Sequence, residues 1–390
     1  MTMMRLHGGM ILVLVATLVG SVFGAGNPYI RAHDQFLSFF PASEEFLPGI
    51  IRSNCAAQFA NYTNQSLPDG EGHAWAGKLI DCVLPACTQG YQDEFTVSGL
   101  LIGLLPAGLS QFGPSMADLA LLAARRPMLA FLLAFGTPSP NLGLQGGLIN
   151  RDLAFHVSTA PTVGFPGLLM RAPWVVRAAI SCAEYLVGML ATGNVVYQVY
   201  RLTYKAVSQA TVSIKIPNVP ETYILFFWMV VMAPIFGIAY ITLRAGYSIG
   251  SSKATQRKSA VVTWVLDEFT PSLYGRPLRL ERRPGGWVYL HVVLGWFSSV
   301  LSVLHIWLGT VVLGSILFVT LPDMLIVVEA LVGCALLSRI VLAFEVHGIK
   351  QVSSGDVARY CSVAAETETP REVKGDAGGG AEELEPMRLD

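Results

Sequence analysis

Long apolar segments alternate with shorter polar ones along most of the chain. Five of them approach the roughly 20 residues that a helix needs to cross a bilayer. We predict transmembrane spans at about 95–112, 178–200, 223–243, 297–319 and 324–344. Only Thr320-Leu321-Pro322-Asp323 separates the last two, with the proline as a break and the aspartate as a cap. The pattern predicts an all-α polytopic membrane protein with a transmembrane domain at 94–345.

A further apolar segment, 116–136, is interrupted at its centre by Arg125, Arg126 and Pro127. As one span it would hold both arginines near the bilayer centre, at about 2.5–3.5 kcal/mol each, beside a proline that weakens the helix. Two short helices avoid this cost, because the arginines then occupy a turn and can reach the lipid headgroups. We therefore predict a re-entrant or interfacial helical hairpin.

The amino-terminal residues 1–24 have the pattern of a signal peptide: one arginine, a short apolar core, and Val22 and Gly24 before a possible cut. An uncleaved membrane anchor is the alternative, but the apolar core is shorter than a span. In either case the following segment, 25–93, faces the lumen or the exterior. The only two N-x-[ST] sequons of the chain begin there, at Asn61 and Asn64.

Three of the six cysteines, Cys55, Cys82 and Cys87, also lie in segment 25–93. An oxidising compartment favours disulfides. Cys82 and Cys87 are close enough in sequence for a small loop, and Cys55 competes for either partner. A zinc site of these cysteines with His73 is an alternative, but the C-x-x-C spacing is missing. We predict a small disulfide-bearing N-terminal ectodomain.

The charges of the loops predict the orientation of the chain. With five spans and the amino terminus outside, the inner segments 113–177 and 244–286 carry five and eight Lys or Arg, against three in the outer loop 201–222. Inner loops of membrane proteins are typically the basic ones. We therefore predict that the carboxyl terminus is cytosolic. We expect the protein itself in the plasma membrane or in a membrane of the secretory pathway. The carboxyl-terminal tail, 346–390, is predicted to be disordered, because the last part of this tail is acidic and has few apolar residues.

Composition and charge support the membrane class. The chain is 53% hydrophobic and 14% charged, against about 25% charged residues in soluble domains. A net charge of −1 provides no overall field for nucleic acid, so we predict the lipid bilayer as partner and no nucleic acid. The basic loop 244–286 contains the amphipathic stretch "KSAVVTWVLDEF", which is a candidate for contact with anionic lipid. An ordinary solvated loop is the alternative.

Several stretches resemble a family of uncharacterised multi-pass membrane proteins of filamentous fungi. They are "DCVLPAC", "SGLLIGLLPAGLSQFGPS", "LLAARRPMLAFLLAFGTPSP", "AEYLVGMLATGNVV" and "HIWLGTVVLGSILFVTLPD". The chain departs from the family where it has "NRDLAFHVST" in place of an acidic YxDP-like element. The resemblance implies a multi-pass membrane fold, and it brings no catalytic residues.

No known enzyme class is supported by a motif. The chain has no P-loop and no H-E-x-x-H pair, and no dinucleotide-binding fingerprint follows a strand pattern. We therefore predict no cofactor and no catalytic or metal site.

Ionisable residues inside predicted spans mark either function or contacts between helices. At 1.5 Å per residue from the predicted span ends, Glu184 lies about 9 Å from the cytosolic side, Arg339 about 8 Å and His305 about 12 Å. We predict one intramembrane polar layer, with Glu184 paired to Arg339.

Two functions compete for this layer. In a structural or signalling membrane component the ion pair fixes the helix packing. In a transporter or channel, Glu184 and His305 line a path for protons or cations, and Arg339 shifts the pKa of the Glu184 carboxylate. The structural class is favoured, because a relay needs continuity across the bilayer.

Overall fold

The structure is a computed structural model, and it describes residues 35–64, 69–141, 165, 167–170, 172–210, 223–250 and 260–368. The predicted signal peptide at 1–24 lies outside the described residues. Two short antiparallel ribbons join β1 (Val207–Ser208) to β4 (Ile316–Leu317) and β2 (Tyr247–Gly250) to β3 (Arg279–Arg282). The helices are α1 (Pro41–Glu44), α2 (Leu47–Asn54), α3 (Ala56–Thr63), α4 (Asp69–Ala86), α5 (Gln89–Phe112), α6 (Met116–Ala123), α7 (Pro127–Phe135), α8 (Gly167–Met170), α9 (Trp174–Tyr204), α10 (Tyr223–Val230), α11 (Met232–Gly246), α12 (Ala260–Phe269), α13 (Trp287–Gly314) and α14 (Leu321–Glu368).

Five helical segments of the described chain are long and apolar enough to cross a membrane: α5, α9, α10 with α11, α13, and α14 up to Ser354. They coincide with the predicted spans but extend beyond most of their ends. The fourth begins at Trp287, ten residues before the predicted start at 297. It ends at Gly314, five residues before the predicted end at 319. The predicted disordered tail is wrong for residues 346–368, because α14 continues through them as one helix. Residues 369–390 lie outside the described part.

Helices α9 and α13 turn many small and polar residues inwards and many large apolar residues outwards. Along α13 the buried positions recur every three or four residues, as one helical stripe: His291, Gly295, Ser298, Ser302, His305, Gly309 and Val312. Its exposed positions include Val293, Trp296 and Trp307. In water this arrangement would expose a large apolar surface, whereas small and polar contacts between helices are typical of membrane bundles. The fold is therefore compatible with an integral membrane protein.

The predicted hairpin is present as two short helices, α6 and α7, joined by a turn at residues 124–126. Both helices are apolar except for Asp118 in the first turn of α6, and side chains such as Leu119 and Leu129 are fully buried. They pack against α9, α11 and α14. The hairpin therefore lies within the helix bundle and not along its surface, since most of its side chains are buried among these helices.

The short N-terminal helices cover one end of the bundle, which we call the capped end. The Phe95 ring of α5 lies edge-on to the Phe318 ring, with centroids 5.7 Å apart. The hydroxyl of Ser43 donates to the Phe318 carbonyl at 2.8 Å, and the Ala42 N–H donates to the Asp323 carboxylate at 3.1 Å. The N-terminal segment is thus joined by polar and aromatic contacts to the helix ends at 318–323. The hairpin turn lies at the other end, which we call the far end.

A disulfide joins Cys55 to Cys82 across a separation of 27 residues. Of the pairings left open by the sequence, this is the one that forms, and Cys87 remains a buried free thiol. Positions 82 and 87 are five residues apart at the end of α4, so at 3.6 residues per turn their side chains point in directions about 140° apart. The disulfide also uses two of the four donors of the alternative zinc site.

The predicted glycosylation sites differ in exposure. Asn61 lies within α3 and is half-buried, whereas Asn64 follows the end of that helix and is exposed. Glycosylation stays a prediction for both.

Helices α5 and α13 cross closely where α13 ends. A Cβ atom at Gly103 would lie 2.8 Å from the Cα atom of Gly314, and one at Gly99 would lie 3.2 Å from the Ile316 carbonyl oxygen. Gly99 and Gly103 are four residues apart, which is the small-xxx-small spacing that lets two helix backbones approach.

Replacing Gly103 with alanine should lower the free energy of unfolding by about 1–3 kcal/mol, because the new methyl group meets backbone atoms that cannot move freely. Chemical unfolding in detergent micelles measures the change. Gly108→Ala is the matched control, since it lies in the same helix and a Cβ there meets nothing within 4 Å. Equal effects of the two substitutions would show that the close crossing does not matter for stability.

Candidate functional site

The hairpin turn contains a fully buried arginine, Arg126. Its Nη1 atom forms ion pairs with Glu184 of α9 and, at 2.9 Å, with Glu345 of α14. Its Nε atom donates to the Glu268 carbonyl at 2.8 Å, and its Nη2 atom donates to the Ser181 hydroxyl at 2.9 Å. All three guanidinium nitrogens therefore have partners. We call Arg126, Glu184, Glu268 and Glu345 the Arg126 cluster.

The carboxylate of Glu268 caps the first turn of α7. It accepts hydrogen bonds from the N–H groups of Met128 and Leu129, each at 3.1 Å, and from the Tyr185 hydroxyl. First-turn N–H groups lack partners within their own helix, and a negative charge suits the positive end of the helix dipole. Burial raises the pKa of Glu268 above its ordinary value of 4.5, while the Tyr185 hydroxyl and the two N–H donors oppose this rise.

Glu345 joins α14 to the short 3-10 helix that follows α12. It accepts the Ser272 N–H at 3.1 Å and the Ser272 hydroxyl at 2.6 Å. The two segments approach closely because position 348 is a glycine: a Cβ atom at Gly348 would lie 2.7 Å from the Leu273 nitrogen. One carboxylate thus holds both the hairpin turn and the loop after α12.

The second arginine of the turn, Arg125, is 7% exposed. Its Nη1 atom donates to the carbonyls of Ser272 and Arg276, at 3.3 and 3.0 Å. A Cβ atom at Gly275 would collide with its guanidinium group, so any other residue there would displace that group. Within the described part of the chain, its Nε and Nη2 atoms have no hydrogen-bond partner. Burial lowers the pKa of Arg125, while the nearby Glu345 carboxylate opposes this.

Both arginines occupy the predicted turn, but the expectation that they reach lipid headgroups is wrong. Their side chains point into the protein, where carboxylates and carbonyl oxygens replace the water or lipid that they would otherwise need. Pro127 is the first residue of α7, a position where its missing N–H costs nothing. The turn is thus held by contacts with three elements that are distant in sequence.

Two cations, Arg125 and Arg126, here face three carboxylates. Among the described residues, Oε1 of Glu184 and Oε2 of Glu268 are buried and have no hydrogen-bond partner. The arrangement can therefore fasten the hairpin turn to α9, α12 and α14, and one of its carboxylates can also hold a proton.

The predicted pairing of Glu184 with Arg339 is wrong. Arg339 is exposed, and its Nη1 atom donates to the Gln111 carbonyl at 2.9 Å. The prediction counted depth back from a span end at residue 344, but α14 continues far beyond that residue. Since Arg339 lies six residues before Glu345, it is about 9 Å nearer the capped end than the Arg126 cluster.

His305 belongs to a different contact. Its ring stacks on the Trp228 ring with centroids 5.4 Å apart, and its Nε2 atom lies 3.0 Å from the Pro138 carbonyl oxygen. The Trp228 Nε1–H group donates to the His305 carbonyl at 3.2 Å. The histidine is thus a buried contact among α13, α10 and the segment after α7. Glu184, His305 and Arg339 have no hydrogen-bond partner in common, so they do not contact one another as one polar group.

Two residues of the cluster were missed in the sequence. Glu345 follows directly after the predicted last span and was counted as lying outside it, and Glu268 belongs to the stretch considered for lipid contact. A usable signal was present: two adjacent arginines between two apolar helices need acidic partners. Glu345 is an acid beside an apolar segment and was available for that role.

One pentapeptide, Gly246-Tyr247-Ser248-Ile249-Gly250, has the G-x-S-x-G spacing of a nucleophile elbow. Such an elbow requires a sharp turn from a strand into a helix. Here the residues from Tyr247 onwards form strand β2 and pair with β3. The spacing therefore does not form a nucleophile elbow in this fold.

Comparison with known proteins gives no relative for this chain. No protein-family model matches it, and no match was found among curated proteins or among solved structures. The resemblance to the fungal family rests on the quoted motifs and stays a prediction.

Proposed function

We propose that the protein is an integral membrane protein with a structural or signalling role, in which the Arg126 cluster fixes the buried hairpin within the helix bundle. The observation that carries this proposal is the complete pairing of Arg126, whose three nitrogens contact α9, α12 and α14. A buried charge that is fully paired within the protein suits a fixed packing arrangement, because moving it would leave carboxylates unpaired.

The competing proposal is a transporter or channel for protons or cations. It needs ionisable groups in sequence along a path across the bilayer. The contacts of Glu184, His305 and Arg339 favour the structural role instead, since each of the three is bound to a different set of neighbours.

An ion-flux measurement tests this choice. The purified protein is reconstituted in vesicles that contain a pH-sensitive dye, and a proton gradient is imposed. We expect the gradient to decay at the rate of protein-free vesicles. A faster decay that Glu184→Gln abolishes, and that the control Glu329→Gln at an exposed position of α14 leaves unchanged, would establish transport and overturn the structural role.

We also propose that the capped end faces the lumen or the exterior and the far end faces the cytosol. The disulfide near the capped end and the basic inner loops support this orientation. A glycosylation acceptor inserted at Gly285, in an exposed turn before α13, should stay unmodified, whereas the native sites at Asn61 or Asn64 should carry glycan. Modification at Gly285 would reverse the orientation.

The loop 244–286 is proposed to contact anionic lipid through α12. That helix exposes an apolar stripe at helical spacing, formed by Val262, Val265, Leu266 and Phe269. At the same time Glu268, on its other side, is buried in the protein. An exposed apolar stripe next to basic residues is what a helix lying at a membrane surface requires.

A further inference from the structure

A half-open cavity of about 320 Å³ lies between α14 and the segment that leads into α6. Its volume is at the lower end of the range for small-molecule sites. Ser115, Asp118 and Asn141 form one wall, and Arg339, His347 and Lys350 of α14 contribute to the other. The cavity is separate from the Arg126 cluster, with which it shares no lining residue.

The charges of this cavity favour an anion. Two cations, Arg339 and Lys350, face one carboxylate, that of Asp118. That carboxylate is already used locally, because it accepts the Ser115 hydroxyl at 2.7 Å at the start of α6. Within the described residues Lys350 has no hydrogen-bond or ion-pair partner, and Arg339 has only the Gln111 carbonyl. The walls therefore carry a net positive charge that the described residues do not neutralise.

The position of the cavity along α14 identifies the kind of anion. Just before the cavity and beside Arg339, the helix exposes apolar side chains, including Leu337 and Ile340. Arg339 lies 18 residues after Leu321, or about 27 Å along the helix, which is close to the roughly 30 Å of a hydrocarbon core. Lys350 lies about 16 Å further on. If α14 crosses a bilayer, as proposed above, Arg339 stands where the acyl chains end, and Lys350 lies beyond it on the headgroup side.

We propose that this cavity binds the phosphate of an anionic phospholipid headgroup, with Arg339 and Lys350 as its ion-pairing groups and His347 beside them. The exposed apolar side chains of α14 next to Arg339 then contact the acyl chains of the same lipid. Basic pockets between transmembrane helices are a known way to recognise such headgroups.

The test uses the full chain in a neutral detergent, titrated separately with short-chain phosphatidic acid, short-chain phosphatidylcholine and inorganic phosphate. Binding is followed by the shift in melting temperature and by native mass spectrometry. We expect phosphatidic acid to bind and to raise the melting temperature. Phosphatidylcholine and inorganic phosphate should each bind much more weakly, because the first lacks the net charge and the second lacks the acyl chains.

The double variant Arg339→Gln/Lys350→Gln should bind phosphatidic acid about 30-fold more weakly, from about 1 kcal/mol for each cation. Arg339→Lys/Lys350→Arg, which keeps both charges, should bind almost as well as the unmodified chain. Arg282→Gln is the matched control, an exposed cation outside the cavity at the far end. This substitution should leave the affinity for phosphatidic acid almost unchanged.

Three results would overturn the proposal. Equal weakening by Arg282→Gln would mean general surface attraction, and equal affinity for both lipids would remove the anion preference. Binding of inorganic phosphate as tight as that of phosphatidic acid would make the cavity a site for free phosphate. In the absence of lipid, the double variant and the unmodified chain should melt at the same temperature. A loss of binding by the double variant is then not caused by a loss of folding.

Discussion

Replacing Arg126 with glutamine should lower the free energy of unfolding by about 3–5 kcal/mol. Removing one partner of a buried ion pair leaves the other charge buried without compensation, and that is the costly case. Here two carboxylates, of Glu184 and Glu345, would lose their shared cation. The Glu268 carbonyl and the Ser181 hydroxyl would also lose a donor.

Unfolding by denaturant in detergent micelles without added lipid measures this change. Arg339→Gln is the control, since that arginine is exposed and forms a single hydrogen bond with a carbonyl. It should alter stability little. A change at Arg126 as small as that at Arg339 would mean that the cluster does not hold the hairpin.

The same variants permit a double-mutant cycle. Arg126→Gln and Glu184→Gln should be strongly coupled, with a double variant that loses less than the sum of the single losses. Arg339→Gln and Glu184→Gln should be additive, because these side chains do not pair. The reverse result would restore the pairing that the sequence suggested.

Replacing Cys82 with serine should lower the free energy of unfolding by about 3–4 kcal/mol, because a disulfide that closes a loop of this length restricts the unfolded chain. The loss should first appear in the N-terminal segment, where the bond joins α4 to the junction of α2 and α3. Limited proteolysis, together with thermal unfolding under non-reducing conditions, would show the effect.

Cys182→Ser is the control for this prediction, since Cys182 is an exposed free cysteine on α9. A reductant should weaken the unmodified chain and leave Cys82→Ser unchanged. If the reductant has no effect on the unmodified chain, the disulfide contributes nothing to stability.

The helices and the hairpin were predictable because local physics determines them. Apolar length identifies the candidate spans, and the cost of two arginines and a proline at a bilayer centre favours a break at residues 124–126. The partners of Arg126 were not predictable in the same way. They depend on which helix faces pack together, and no periodicity within one helix contains that information.

The error in depth has a separate cause. The sequence suggested that the last span ends near residue 344, because the polar residues begin there. A helix can continue beyond its apolar part, and α14 extends as far as Glu368. The depth of Arg339 was counted from that assumed end, and it was therefore wrong.

The order of synthesis gives the Arg126 cluster a consequence for how the protein is made. Glu345 is added to the growing chain 219 residues after Arg126 (345 − 126). At 5–20 residues per second this is a wait of roughly 10–45 s. During that time the hairpin arginine exists without its final acidic partner, so the ion pair with Glu345 forms only after these residues have been added. A nascent chain stopped before Glu345 should therefore keep an arginine that lacks this acidic partner.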